Sequence, residues 1–133
     1  MYPKTIRILT IFVGLFFIYI GISKHLLGQC ISFGPNSSIP EDFVQLISTL
    51  CKSGYLKMVG ILQIVGGLSL LWPRFNWFGL ILLTPISFVI FTFHLLLDNR
   101  ITEMLYIGIP MFLLVFILYY EVNHKVGWKR LLK

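Results

Sequence analysis

The sequence predicts an all-α fold: a polytopic membrane four-helix bundle with a short amphipathic surface helix between its first and second helices. Three observations predict it. Of 133 residues, 57% are hydrophobic and 12% are charged, whereas soluble domains carry about 25% charged residues. The apolar residues fall into four long runs separated by polar stretches. The net charge of +6 collects at alternate ends of those runs. In a soluble protein such a basic balance would invite a nucleic-acid partner, which needs cations gathered on a water-exposed face. Here the cations sit between apolar runs, so the expected partner is the lipid bilayer and not nucleic acid.

The first run, Thr5 to Leu27, has no acid and only Arg7 and Lys24 as cations near its two ends. It exceeds the roughly 20 residues that cross a bilayer. A cleaved signal peptide is disfavoured, because the run is longer than an apolar h-region and no small-residue cleavage site follows. Residues 28–40 hold Gly28, Gly34, Pro35, Asn36, Ser37, Ser38 and Pro40, the chemistry of a loop. Phe43, Leu46, Ile47 and Leu50 then recur at helical spacing opposite Glu41, Asp42, Gln45, Ser48 and Thr49. That pattern predicts an amphipathic helix over about 41–51, lying on the membrane surface. The second span covers about 55–72, interrupted only by Lys57 and Gln63. A tight turn at 73–76 leads to the third span, 78–97, and the polar stretch 98–103 leads to the fourth, 104–120. A basic tail, 122–133, follows. The whole chain is one domain.

Four spans put the N-terminus, the 73–76 turn and the tail on one side, with Lys4, Arg7, Arg74, Lys125, Lys129, Arg130 and Lys133 against Glu121. The other side holds Lys24, Lys52, Lys57 and Arg100 against Glu41, Asp42, Asp98 and Glu103, which balance. By the positive-inside rule both termini are cytoplasmic, and the expected location is a bacterial inner (plasma) membrane. The tail reads as an interfacial anchor, with Trp128 at headgroup depth and its cations facing anionic lipid.

Polar groups inside apolar spans are costly and usually face the bundle interior or a functional cavity. In the third span Thr84, Ser87, Phe91, His94 and Asp98 share one stripe, and His94 and Asp98 are one turn apart, so the carboxylate can hold the imidazole tautomer. In the second, Gly60, Gln63 and Gly67 share a face. In the first, Gly14, Gly21 and Gly28 recur every seven residues with Lys24 on the same stripe. Glycines so spaced let helices approach closely in lipid. Lys24 and His94 lie about 5 Å below the outer ends of their helices and Gln63 about 12 Å down. Lys24, Gln63, His94 and Asp98 are therefore the candidate pocket, with Lys57 and Glu103 as candidate ion-pair partners near the same surface. One reading has the lysines neutralising Asp98 and Glu103, with His94 and Gln63 as structural glue. The other has His94 and Asp98 moving protons while Lys24 or Gln63 binds a quinone carbonyl or small anion. No spacing resembles a metal site, a phosphate loop or a Ser-His-Asp arrangement.

The two cysteines, Cys30 and Cys51, both fall on the outer side. A structural disulfide, free thiols and a redox-cycling pair are all open readings. A disulfide closing about 20 residues would contribute roughly 3 kcal/mol, and without a C-x-x-C spacing thiol exchange is not indicated.

The segments GISKHLL, SGYLKMVGILQIVGGLSLLWPRF and LLTPISFVIFTFHLLLD resemble the DoxX family of small four-span membrane proteins, in its DoxX-like branch. The Gly-Gly pair of the second span, the proline of the third and the FH…LLD ending carry most of the likeness. The resemblance implies a four-helix fold and kinship with subunits of quinone-linked sulfur oxidation and other redox complexes. It also implies family positions at His94 and Asp98. Two positions depart from the family pattern: Gln63 stands where members often carry Glu, and Val89 where they often carry Asn. An amide cannot relay a proton as a carboxylate does.

The expected function is thus an accessory or quinone-interacting subunit of a membrane redox system, oxidoreductase-associated and better read as an accessory subunit than as a stand-alone enzyme, with a membrane or periplasmic redox partner subunit. The alternative is a non-catalytic membrane module that assembles or stabilises a partner. The glycine face of the first span also suits a homo-oligomer, although packing within one chain explains it better. A transporter needs a continuous polar path, and the inner half of the bundle reads as almost wholly apolar.

Overall fold

The computed structural model describes residues 4–26, 38–98 and 100–126, except for the side chains of residues 24–26 and 125–126. The described residues are helical almost throughout, in five α-helices: α1 (Lys4–Ile20), α2 (Glu41–Lys52), α3 (Tyr55–Leu71), α4 (Asn76–Leu97) and α5 (Ile101–Glu121). Gly21–Leu26 extends α1 and Val122–Val126 extends α5 with π-helical turns. Three helices are long and apolar enough to cross a membrane, Lys4–Ser23, Pro73–Leu97 and Ile101–His124. The fourth predicted span, α3, is 17 residues long and is bent 77° from α2.

Local chemistry sets the boundaries. Trp72 is extended at φ −102°, ψ 122°, because the ring of Pro73 disfavours helical backbone in the residue before it. α3 therefore stops at Leu71, and a single 3₁₀ turn, Pro73–Phe75, starts the chain back. At the other end α2 gives way to α3 through Gly54, whose φ of +81° is in the left-handed region that a side chain would strain. The connection between the third and fourth predicted spans is shorter than expected. Ile101, Thr102 and Glu103 join α5, with Glu103 in its first turn, where a negative charge complements the helix dipole. Pro85 and Pro110 are accommodated inside α4 and α5 without breaking either helix.

α1 packs on α3, α3 on α4, α4 on α5, and α5 returns to α1. The core between them is Val13 and Phe17 of α1, Leu70 of α3, Leu80 and Leu83 of α4, and Leu114 and Ile117 of α5, closed at one end by Ile6. Glycine controls how near the helices come. A Cβ on Gly21 would stand 2.7 Å from the Gly60 carbonyl oxygen, and one on Gly79 would stand 2.7 Å from that of Gly66. The glycines that share faces in the sequence therefore oppose one another across the α1–α3 seam. Their backbones meet at a spacing that any larger residue would forbid.

The outward faces are apolar as well. Phe12, Tyr19, Phe78, Phe88, Phe112 and Tyr119 are each more than half exposed, far more uninterrupted apolar surface than soluble monomers present. α2 lies across one end of this assembly, against α3 and α4, with Phe43 as its buried residue. The amphipathic pattern of residues 41–51 is thus realised as a helix, and its apolar side turns toward the other helices.

Candidate functional site

The last turn of α4 carries His94, and the helix ends at Asp98, which is extended at φ −102°. With one turn between them, His94 Nδ1 reaches Asp98 Oδ2 at 2.8 Å. A neutral imidazole in this pair donates from Nδ1 and keeps Nε2 as its basic atom. Arg100 closes the other side of the carboxylate: Nε donates to Oδ1 at 3.0 Å, Nη2 to Oδ2 at 2.9 Å, and the Arg100 backbone N–H to Oδ1 at 3.2 Å. Burial of Asp98 acts to raise its pKa. The hydrogen bonds from Arg100 and His94 outweigh it and hold the carboxyl below the usual carboxylate range.

α2 covers this group. The Phe43 ring, itself 2% exposed, lies 5.1 Å from the His94 ring and tilted 53° to it. The Arg100 guanidinium carbon is 5.7 Å from the centroid of the same ring, within cation–π range. His94, Asp98, Arg100 and Phe43 thus form one compact cluster drawn from α4, the α4–α5 connection and α2.

The other candidates are distributed differently. Gln63 is buried on α3, and its Oε1 has no hydrogen-bond partner among the described residues. Gly66 faces the Leu83 side chain and Gly79 the Gly66 carbonyl, so α3 and α4 run antiparallel in a register that puts Gln63 level with Ser87. Ser87 Oγ is buried and likewise unpartnered among the described residues. Ser87 precedes His94 by seven residues, about 10 Å along the helix. Gln63 therefore belongs to a deeper level than the His94 cluster. The backbone of Lys24 falls in the π-helical segment, and its side chain lies outside the described residues.

Two expectations are refined. Among the described residues Asp98 is neutralised by Arg100, while Lys57 is exposed and forms no ion pair and the side chain of Lys24 lies outside them. The three-residue α4–α5 connection is short enough to bring Arg100 back onto the carboxylate two positions before it. Glu103 is half-buried in the first turn of α5. Cys51 is disulfide-bonded, and the chain's other cysteine, Cys30, lies outside the described residues. Among the described residues no three His, Cys, Asp or Glu side chains gather to hold a metal ion.

The second refinement concerns the opposite end, where a few polar groups interrupt the apolar interior. Arg7 of α1 reaches the last turn of α3, donating from Nη1 to the Leu70 carbonyl at 3.2 Å and from Nη2 to the Leu71 carbonyl. Asn76, its amide oriented by the carbonyls it faces, donates to Leu70 O at 3.0 Å and Trp72 O at 3.2 Å. Together they cap carbonyls that a helix C-terminus leaves unsatisfied, and the cation complements the dipole. Thr10 and Glu121 are fully buried. Hydropathy missed these groups because they sit at span boundaries, where either water or the interior can receive a side chain. The signal available was the isolation of Arg7 inside an apolar run.

Compared with protein families, curated proteins and solved structures, the chain matches none. Its chemistry therefore has to be read from the cluster itself. A shallow groove of about 200 Å³, walled by Phe12, Phe16, Tyr106, Ile109, Pro110 and Leu113, runs between α1 and α5 away from that cluster.

Proposed function

We propose that the chain is a four-span membrane protein in which α1, α3, α4 and α5 cross the bilayer as a bundle, with α2 at the outer interface and both termini cytoplasmic. Exposed aromatic residues support the depth assignment. Trp72, Phe75 and Tyr119 mark one end, and Tyr19, Tyr55 and Tyr106 the other, as interfacial belts do. Tyr55 to Trp72 spans about 25 Å of helix, close to the hydrocarbon thickness of about 30 Å. The one-sided excess of Lys and Arg supports the orientation and a bacterial inner membrane. Alkaline phosphatase and fluorescent-protein fusions at each connection test it: phosphatase activity in fusions at the 73–76 turn would reverse the topology.

Within that frame the protein serves as an accessory subunit of a membrane redox system and interacts with a quinone or a similar lipophilic carrier at its outer end. The observation that carries this reading is the 2.8 Å contact between His94 Nδ1 and Asp98, clamped by Arg100. In such a dyad the carboxylate fixes the tautomer and orientation of the imidazole, which leaves Nε2 as the atom placed to exchange a proton with a carrier at the lipid–water boundary. Quinone reduction needs protons there, while the electrons come from a partner subunit. The likeness of GISKHLL and the FH…LLD ending to DoxX proteins supports the same reading. Quinone binding by the protein in lipid nanodiscs tests it. His94→Ala should weaken binding at least about tenfold, a loss of roughly 1.4 kcal/mol, and unchanged binding would remove the quinone role.

A second reading, a non-catalytic module that assembles or stabilises a partner, is favoured by the completeness with which Arg100 and His94 satisfy Asp98. Such a cluster can simply fix the fold. Crosslinking in native membranes followed by pull-down should then recover a stoichiometric partner whose capture is indifferent to His94→Ala.

A further inference from the structure

The four seams of the bundle are not built alike. Gly21 meets Gly60 between α1 and α3, Gly79 meets Gly66 between α3 and α4, and Gly108 meets the Phe91 ring between α4 and α5. Among the described residues no glycine stands on the fourth seam, between α1 and α5. Large side chains make its contacts instead, with the Phe16 and Tyr106 rings edge to face at 5.6 Å between centroids. Without small residues, helix backbones cannot close on one another. The result is the groove of about 200 Å³ that has Phe12 and Phe16 on one wall and Tyr106, Ile109 and Leu113 on the other.

Position, lining and size together decide what the groove takes. Phe12 and Ile109 on its rims are 63% and 59% exposed, so it opens onto the surface that the proposed topology turns to lipid. Its walls are apolar but for the Tyr106 phenol, and they offer no charge to a polar guest. Leu105 to Leu113 lie four to twelve residues from the start of α5, about 6 to 18 Å deep, which is the depth of one leaflet in a hydrocarbon core of about 30 Å. The volume suits a run of about six or seven methylene groups, each taken as the size of a water at roughly 30 Å³. A second copy of the chain is a poor occupant, because a stable dimer needs about 800 Å² per partner and a helix is about 10 Å wide. We propose that the α1–α5 groove binds one acyl chain of a phospholipid from the leaflet on the His94 side of the membrane. The chain lies along Ile109 and Leu113 and restores the dispersion contacts that the wide seam forfeits. Its ester groups come level with Tyr106, near the outer end of the groove. The site rests on the bundle crossing the bilayer as proposed above, and on neither the His94 dyad nor a quinone.

The full-length protein is placed in nanodiscs of phosphatidylethanolamine and phosphatidylglycerol that carry a trace of phosphatidylethanolamine with a diazirine in one acyl chain. Adducts formed on illumination are mapped by mass spectrometry. Phe88 of α4 and Ile61 of α3, 58% and 51% exposed and about 14 and 9 Å from the same end of the bundle, report ordinary lipid contact. Phe16 and Leu113 are only half-buried wall residues, yet their adducts should exceed those of the references about fivefold, since a seated chain stays in contact with them. Ile109→Trp and Leu105→Trp, both on the exposed rim, should each remove that excess, with helical circular dichroism and the labelling of Phe88 unchanged. The site is overturned if Phe16 and Leu113 are labelled no more than the references, or if their excess survives both substitutions. Loss of the excess on adding a long-tailed ubiquinone would assign the groove to that tail and overturn the phospholipid. Crosslinks between the grooves of two copies would overturn it in favour of a self-interface. Absence of adducts from every face would overturn the membrane topology as well, which tells that failure apart from failure of the groove alone.

Discussion

Gly14 and Gly67 meet face to face: a Cβ on Gly14 would stand 2.8 Å from the Gly67 carbonyl oxygen, and one on Gly67 2.6 Å from that of Gly14. Both obstacles are backbone, so neither can rotate aside. Gly67→Ala should therefore destabilise the protein despite a helix-propensity gain of about 1 kcal/mol, because overpacking costs about 1–3 kcal/mol and forces α1 and α3 apart. Ser69→Ala, two residues away with a hydroxyl bonded back to Val65, should stay within about 0.5 kcal/mol. Unfolding by SDS titration in mixed micelles measures both.

Arg7 ties the start of α1 to the end of α3, 63 and 64 residues away in sequence. Arg7→Met leaves the Leu71 carbonyl uncapped and removes a cation from the helix terminus. The expected loss is about 2 kcal/mol, in the range of hydrogen bonds to charged groups. Arg7→Lys keeps the charge but loses the two-pronged geometry, and should recover part of that loss in the same assay.

Asp98 makes stability depend on acidity. Its folded pKa lies below the unfolded value of about 3.9, so its contribution is fully present above that value and is lost as pH falls through the folded pKa. The unfolding midpoint should drop below about pH 4, and Asp98→Asn should flatten that drop while lowering stability at pH 7. A steep acid limb surviving in Asp98→Asn would assign it to another carboxylate.

Ser87 Oγ and Gln63 Oε1 are buried without partners among the described residues. Removing such a group forfeits no hydrogen bond of that atom among the described residues. Ser87→Ala and Gln63→Leu should accordingly be neutral or stabilising by up to about 1 kcal/mol. A clear loss of stability in both would reveal a bound polar partner at that level of the core.

Much of the candidate site was legible because it is local. His94 and Asp98 are four residues apart on one helix, and helical periodicity alone brings them together. The same holds for the apolar face of α2. Arg100 escaped attention because a loop, not a periodic element, returns it to Asp98. Phe43 over His94 depends on how α2 docks.

The sequence by itself determined the helical class, the long apolar stretches, the one-sided charge and the glycine faces, since each is set by composition or by a period of 3.6 residues. Only the tertiary structure decided which glycine opposes which, that Arg7 caps α3, and that Arg100 clamps Asp98. The physical reason lies in the helices themselves. Along α3 apolar residues lie on every side, so hydropathy does not fix its rotation about its own axis. That rotation is chosen by the close fit of small residues against neighbouring backbone and by polar groups finding partners across the bundle.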